Sequence, residues 1–559
     1  MRCGNPTVSK IAMGIKISLM ELLVCIFLLT SPTFLHARDI IVDGERYLNQ
    51  WNVEKAMELA RKAVLEKPGR ADSLRLLGLC YFYQGSYDKA LEYLQTASFM
   101  EPWNEERKRL FSFVQATKEI TEEFNNYSSE HFILRLANRD SLLVDYALHA
   151  LEKAYEEIGD DLGYFPQKKV LVEVYPTTEG FTHASSLSQR QIEISGAIGI
   201  CKFNRIMIIS PRCLVYGYRW LDALAHEFIH YLIAKITGLN IPLWLNEGLA
   251  KYHETRWRVQ EPNYLIPLYR NSLSRASKEE RWIDFRKMRK GMPTLESREE
   301  VILAFAEVSL AVDYLLQYHG KKKLIHFFKG LGRAAWKGRE GNFEKVEEHW
   351  DRIFRQFFGI DQEEFQSVLR EFLEVMNLEE TPGIAVDSFK LKKEAEEVDE
   401  LEEYVGIGAH GHVRLGDIYR QRRRFDVALI EYEKGLREEP NSHVILNKMG
   451  KTCMALGKFR EAEESFKKSL QVNPNYGATY TNLATLYFTQ GRLKLALRNY
   501  EESNQINPFN PLIHKYMGLI HYRLGEEVKA KREWIVAQRL VPGDIEVDSW
   551  LREMERKKP

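Results

Sequence analysis

Cysteine is scarce in this chain, with six residues in 559 and no CxxC pair. That leaves no thiolate-rich zinc site and no disulfide framework to read. Cys80, Cys201, Cys213 and Cys453 lie in apolar or helical stretches and read as buried free thiols, although Cys201 and Cys213 could pair in an oxidising compartment. An excess of either charge is also missing: Lys plus Arg and Asp plus Glu each number 79. A nucleic-acid partner normally needs a basic face, so none is expected. The short basic runs at 321–323 and 420–424 read as solvated helix ends. Nor does the N-terminal region hold a comfortable membrane span. Its apolar run LLVCIFLL, 22–29, is short and flanked by Glu21 and Pro32. Arg2, Lys10 and Lys16 precede that run and a small residue, Ala37, closes the stretch after it. This is the layout of a secretory signal peptide over residues 1–37. The mature chain is expected to start near Arg38 and to work in the periplasm or outside the cell. If the segment is not cleaved, it would anchor the chain to a membrane.

What is present in quantity is repetition. Prolines stand at 440, 474, 508 and 542, each 34 residues after the last, and alanines keep the same step at 428, 462, 496 and 530. Gly416, Gly450, Ala484 and Gly518 form a third phase, and Tyr432, Phe466, Tyr500 and Trp534 a fourth. Small residues at a fixed step suit two helices that cross closely, and proline ends the second helix of each pair. The pattern resembles the tetratricopeptide repeat. Four units are expected over 409–544, with an amphipathic helix at 545–559 capping the open end. Two more units follow the signal peptide at 38–104, where Gly44 and Gly78, Ala56 and Ala90, and Pro68 and Pro102 keep the step. Repeats of this kind bind a protein partner or scaffold one, without naming it.

Between the repeats, over 125–378, the periodicity changes. KVLVEVY at 169–175, ISGAIGICKF at 194–203 and RIMIIS at 205–210 read as strands. YRWLDALAHEFIHYLIAKIT, 218–237, reads as an apolar helix, and a second helix is expected to begin at Leu243. A helical linker, 379–408, would lead to the last repeats.

The helix at 218–237 carries HEFIH. His226 and His230, four residues apart, project from one helical face and can reach one zinc ion. Glu227, beside them, can take a proton from water at that ion. Two histidines and a glutamate on an otherwise apolar helix would be costly without a shared partner. The third ligand is expected to be Glu247, which follows His230 after a turn at Gly238–Pro242. Two histidines and one glutamate leave a fourth position open for chemistry. Asn246 can orient the site. Asp222, four residues before His226, can hold that imidazole's second nitrogen or simply stand at the surface.

HEFIH followed by WLNEGLA resembles the gluzincin metallopeptidases, and most closely the peptidase MA-like domains that occur beside tetratricopeptide repeats. The resemblance covers about 190–255 and implies a zinc-dependent hydrolase of peptide bonds, with one zinc ion and a substrate lying along an edge strand, here the one in GAIGICKF. Related domains carry tyrosines in the segment matching 304–310, where this chain has Phe305 and Ser309. Tyr252, His253 and Tyr314 are the substitutes offered by nearness in sequence for stabilising an oxyanion. The expected fold is thus mainly α, with helical repeat solenoids flanking an α+β zincin-like domain. The expected function is a zinc metallopeptidase acting on a peptide or protein. The alternative is a non-catalytic repeat scaffold of the cell envelope with a vestigial zinc domain.

Overall fold

A computed structural model describes residues 32–556 apart from 216, 291, 293–294, 334–342, 385–390 and 392–404. Residues 1–31 of the expected signal peptide lie outside the described residues, and the first helix, Pro32–Asn49, runs through the expected cleavage point. The chain divides into two compact units, Met1–Gln115 and Ala116–Pro559.

In the first unit two helical hairpins pair Pro32–Asn49 with Val53–Glu66 and Ala71–Tyr83 with Tyr87–Met100. Ala56 and Ala90 are fully buried, as their shared phase requires. A Cβ on Gly44 would stand 2.6 Å from Leu76 and one on Gly78 2.8 Å from Leu94, so the helices cross too closely for larger residues.

The second unit begins with a five-stranded sheet: β1 (Phe124–Ser128), β2 (Phe132–Ala137), β3 (Val170–Tyr175), β4 (Gly199–Lys202) and β5 (Arg205–Ile209). Its order is β1-β2-β3-β5-β4. The strands β2, β3 and β5 run parallel, and antiparallel β1 and β4 form the edges. Every residue of β3 is buried. The strand expected over 194–203 is shorter than its apolar pattern suggests. A helix occupies Gln189–Ser195, and Gly196 in the left-handed conformation closes it.

Helix α1 (Val144–Leu162) lies between β2 and β3 in the chain, and four further helices frame the site. They are α2 (Trp220–Thr237), α3 (Leu243–His253), α4 (Pro267–Glu279) and α5 (Arg298–Arg333), the last broken at Gly320 (φ 76°). Among the described residues α5 is the one helix long and apolar enough to cross a membrane, but two thirds (67%) of its apolar window is buried. It packs on α2, α3 and α4 and serves as a core helix.

Four hairpins complete the unit, from Ile407–Gln421 to Glu527–Leu540, and include α6 (Leu493–Asn504). Here the third and fourth sequence phases meet. A Cβ on Gly450 would stand 2.5 Å from the Phe466 ring, and Gly416 and Gly518 are covered in the same way by Tyr432 and Trp534. A last helix, Ile545–Arg556, buries Val547 and Leu551 near Trp534, in the place expected of a cap. The expected helical linker, 379–408, lies mostly outside the described residues. Its described start, 379–384, is not helical, because Pro382 and Gly383 (φ 86°) form a turn.

Candidate functional site

Two helices and one turn build the site. Helix α2 ends at Gly238 (φ 59°), whose N–H donates to Ala234 O, and Leu239 is also left-handed (φ 62°). Pro242 then precedes α3 and accepts from Asn246 N–H, which places Glu247 within the first turns of the return helix. Gly248, next to it, lies so close to Val308 O of α5 that a Cβ would overlap the carbonyl. Trp244 locks the start of α3 by stacking on Phe285 (4.7 Å) and donating to Gln362 (2.6 Å).

This path brings His226, His230 and Glu247 together. One ligand atom from each lies within 4.8 Å of the others. The Nε2 atoms of His226 and His230 stand 3.7 and 3.6 Å from Glu247 Oε2. Those separations exceed a normal hydrogen bond. Two ligands at 2.0–2.1 Å from a shared tetrahedral ion stand about 3.3 Å apart, so the three groups are spaced to flank a metal rather than to bond one another. The donor set and its geometry therefore fit zinc.

Electrostatics follow from burial and crowding. Burial disfavours the His226 imidazolium, yet Glu247 and Glu254 together carry its pKa up to about 9. Burial likewise works against the Glu247 carboxylate, but the two histidines hold its pKa below the usual range. Glu227 moves the other way: burial raises its pKa despite the histidines nearby. It is 6% exposed, accepts from the Cys201 backbone N–H, and keeps Oε2 without a hydrogen-bond partner. A Cβ on Gly199, in edge strand β4, would stand 2.7 Å from Glu227 Oε1, so the bare backbone there makes room for the carboxylate.

The outer partners differ from those read in the sequence. His226 Nδ1 meets Glu254 at 3.2 Å, and Glu254 is held in turn by Lys251 at 2.7 Å. Asp222 does not reach His226. It accepts from Trp257 Nε1 (3.0 Å) and from Arg258 Nε and Nη2 (2.9 and 2.8 Å). Asn246 keeps a buried Oδ1 with no hydrogen-bond partner. The three oxyanion candidates are tied elsewhere. Tyr252 donates to Asp313 (3.1 Å), which also accepts from Tyr264 (2.6 Å). His253 Nδ1 faces Asp161 at 3.5 Å, and Tyr314 stacks on Tyr318 between Phe365 and Phe372. At the segment lacking tyrosine, Phe305 lies under Lys251 and Ser309 donates to the Phe305 carbonyl. Sequence reasoning missed Glu254 and Gly199. Glu254 had a signal, two helical turns after Glu247 on the same face; Gly199 had none.

Residues 150–340 match the family model of the Peptidase MA superfamily, and residues 44–99 and 441–506 match two tetratricopeptide-repeat models. The chain thus carries a Peptidase MA superfamily domain flanked by these repeats. No curated protein matches it. Solved structures match about a quarter of the chain. A tetratricopeptide-repeat protein of Thermus thermophilus is 28% identical over 26% of this chain and 80% of its own, with a TM-score of 0.23. MamA from Desulfovibrio magneticus is 22% identical over 27% of this chain and 86% of its own, with a TM-score of 0.26.

Proposed function

We propose that the Peptidase MA superfamily domain is a zinc-dependent peptidase in which His226, His230 and Glu247 hold one ion and Glu227 is the general base. The convergence of those three ligand atoms within 4.8 Å, beside a buried carboxylate with an unpartnered oxygen, carries this reading. When bound, zinc supplies a Lewis acid that brings the pKa of a water toward neutrality and polarises the scissile carbonyl. Glu227 Oε2 takes the proton of the attacking water. As the C–N bond breaks, the same carboxylic acid delivers that proton to the leaving amine. Its raised pKa suits both halves of the transfer. Glu254 orients His226 through Nδ1, leaving Nε2 for the ion. Edge strand β4 has one side unpaired within the sheet and offers backbone groups to an extended peptide.

The repeats are read as protein-binding surfaces, and the N-terminal segment supports a place outside the cytoplasm. Mature-protein N-terminal sequencing tests export: a start at or near Arg38 is expected, and a start at Met1 contradicts cleavage. For catalysis the test is zinc content and cleavage of a peptide library by wild type and Glu227→Gln. Removing the base is expected to leave zinc at one per chain and to lower kcat by about 100-fold or more. Full turnover in the variant would dismiss Glu227 as base. Stoichiometric zinc with no cleavage by wild type would favour a scaffold.

A further inference from the structure

The start of the HEFIH helix is capped by the repeats. A helix leaves its first N–H groups without partners inside the helix, and Arg219, just before α2, makes no side-chain cap. The acceptors come from the end of α6, in the third C-terminal hairpin. Tyr218 N–H donates to Ile506 O (3.0 Å), Trp220 N–H to Gln505 O (3.2 Å), and the Trp220 indole to Asn504 O (3.4 Å). Carbonyls at the C-terminal end of one helix thus serve amides at the N-terminal end of another, and their partial charges attract. Gly217 (φ 71°) permits the approach, since a Cβ there would overlap the Ile506 carbonyl oxygen.

Charged groups tie the same junction to both ligand-bearing helices. Glu502, on α6, accepts from Arg219 Nη1 at 2.8 Å, and its other oxygen stands 4.0 Å from Arg258 Nη1. Arg258 lies just beyond α3, the helix of Glu247, and grips Asp222 with two nitrogens. Asp222 sits one turn before His226 on α2. Glu502 is therefore the one repeat carboxylate that reaches arginines flanking both helices among the described ion pairs.

We propose that Glu502 is a positioning residue for the zinc site: through Arg219 and Arg258 the third C-terminal repeat sets the placement of α2 against α3. The inference rests on the zinc reading above. Its test uses the full chain with Glu502→Ala, Glu502→Gln and a control, Glu463→Ala, whose carboxylate pairs only with repeat residues Lys467 and Arg492 among the described ion pairs. Two quantities are read: amide hydrogen exchange over 220–232 without metal, and zinc affinity by chelator competition.

Glu502→Ala is expected to speed exchange about 10-fold, as one charged contact is lost. Zinc affinity should weaken about 3- to 10-fold, below the 10- to 100-fold loss typical of a group bonded directly to a ligand. Glu502→Gln, which keeps an acceptor for Arg219, should fall between, and Glu463→Ala should match wild type. The proposal is overturned if Glu502→Ala leaves both quantities unchanged, or if Glu463→Ala moves them equally. If Glu502→Ala does not fold, Glu502→Gln decides. If wild type binds no zinc, the zinc reading fails, while exchange still decides whether Glu502 positions α2.

Discussion

The N-terminal and C-terminal repeats keep one 34-residue step, yet they cover the glycines where helices cross with different residues. In the first unit, the Leu76 tip lies over Gly44, and the Leu94 branch and the Ala90 carbonyl lie over Gly78. In the second, aromatic rings of Tyr432, Phe466 and Trp534 lie over Gly416, Gly450 and Gly518. A leucine tip can change rotamer and yield; a buried ring has fewer ways to move. The shared spacing therefore specifies a hairpin, while the filler decides how stiff an edge that hairpin offers. Within the second unit the C-terminal hairpins meet the central domain. Besides the α2 junction, Tyr146 of α1 donates to Glu533 (2.8 Å), and His514 of the last hairpin faces the same carboxylate at 2.8 Å.

The largest test of this contrast is at the junction. Gly217→Val adds bulk where the Ile506 carbonyl already sits, at a left-handed φ. It should cost about 3–5 kcal/mol in denaturant unfolding of the second unit. Gly69→Ala, in open space in the first unit, should stay within about 0.5 kcal/mol. Equal midpoints for the two variants would mean the junction is not a tight one.

Acid separates the two sets next. His443, in the second C-terminal hairpin, is buried, and burial lowers its pKa from 6.5 to about 4. The unfolded chain binds a proton that the folded one refuses. Its contribution is thus complete above pH about 6.5 and is lost as pH falls toward 4, by roughly 3 kcal/mol. His443→Gln should flatten that slope in a pH series of unfolding curves. The described residues of the first unit contain no histidine after His36 and should lack this term.

The smallest effect compares fillers directly. Gly450→Ala should cost about 2 kcal/mol more than an alanine in open helix, and Gly44→Ala about 1 kcal/mol, because the Leu76 tip can move more readily than the Phe466 ring. Equal losses in thermal melts would show that both fillers yield alike.

The hairpins and the meeting of His226, His230 and Glu247 were legible because each depends on spacing within one or two helices. The repeat phases report one face of a helix, and HEFIH plus a return helix leave few places for a third ligand. What could not be read depends on residues distant in sequence. Asp222 has the right helical offset to serve His226, but Arg258 captures it from beyond α3. Glu254 takes the role because the turn at Gly238 brings its helix back beside α2. Strand β1, FNNYS, carries almost no apolar alternation and is specified by pairing with β2. The capping of α2 by carbonyls almost 300 residues later leaves no local trace at all.

Position 199 governs the room left for the Glu227 carboxylate. The Glu227 carboxylate and a side chain at 199 would compete for one space, since a Cβ there lies 2.7 Å from Oε1. Glycine at 199 leaves the Glu227 carboxylate its place, which any larger residue there would press upon.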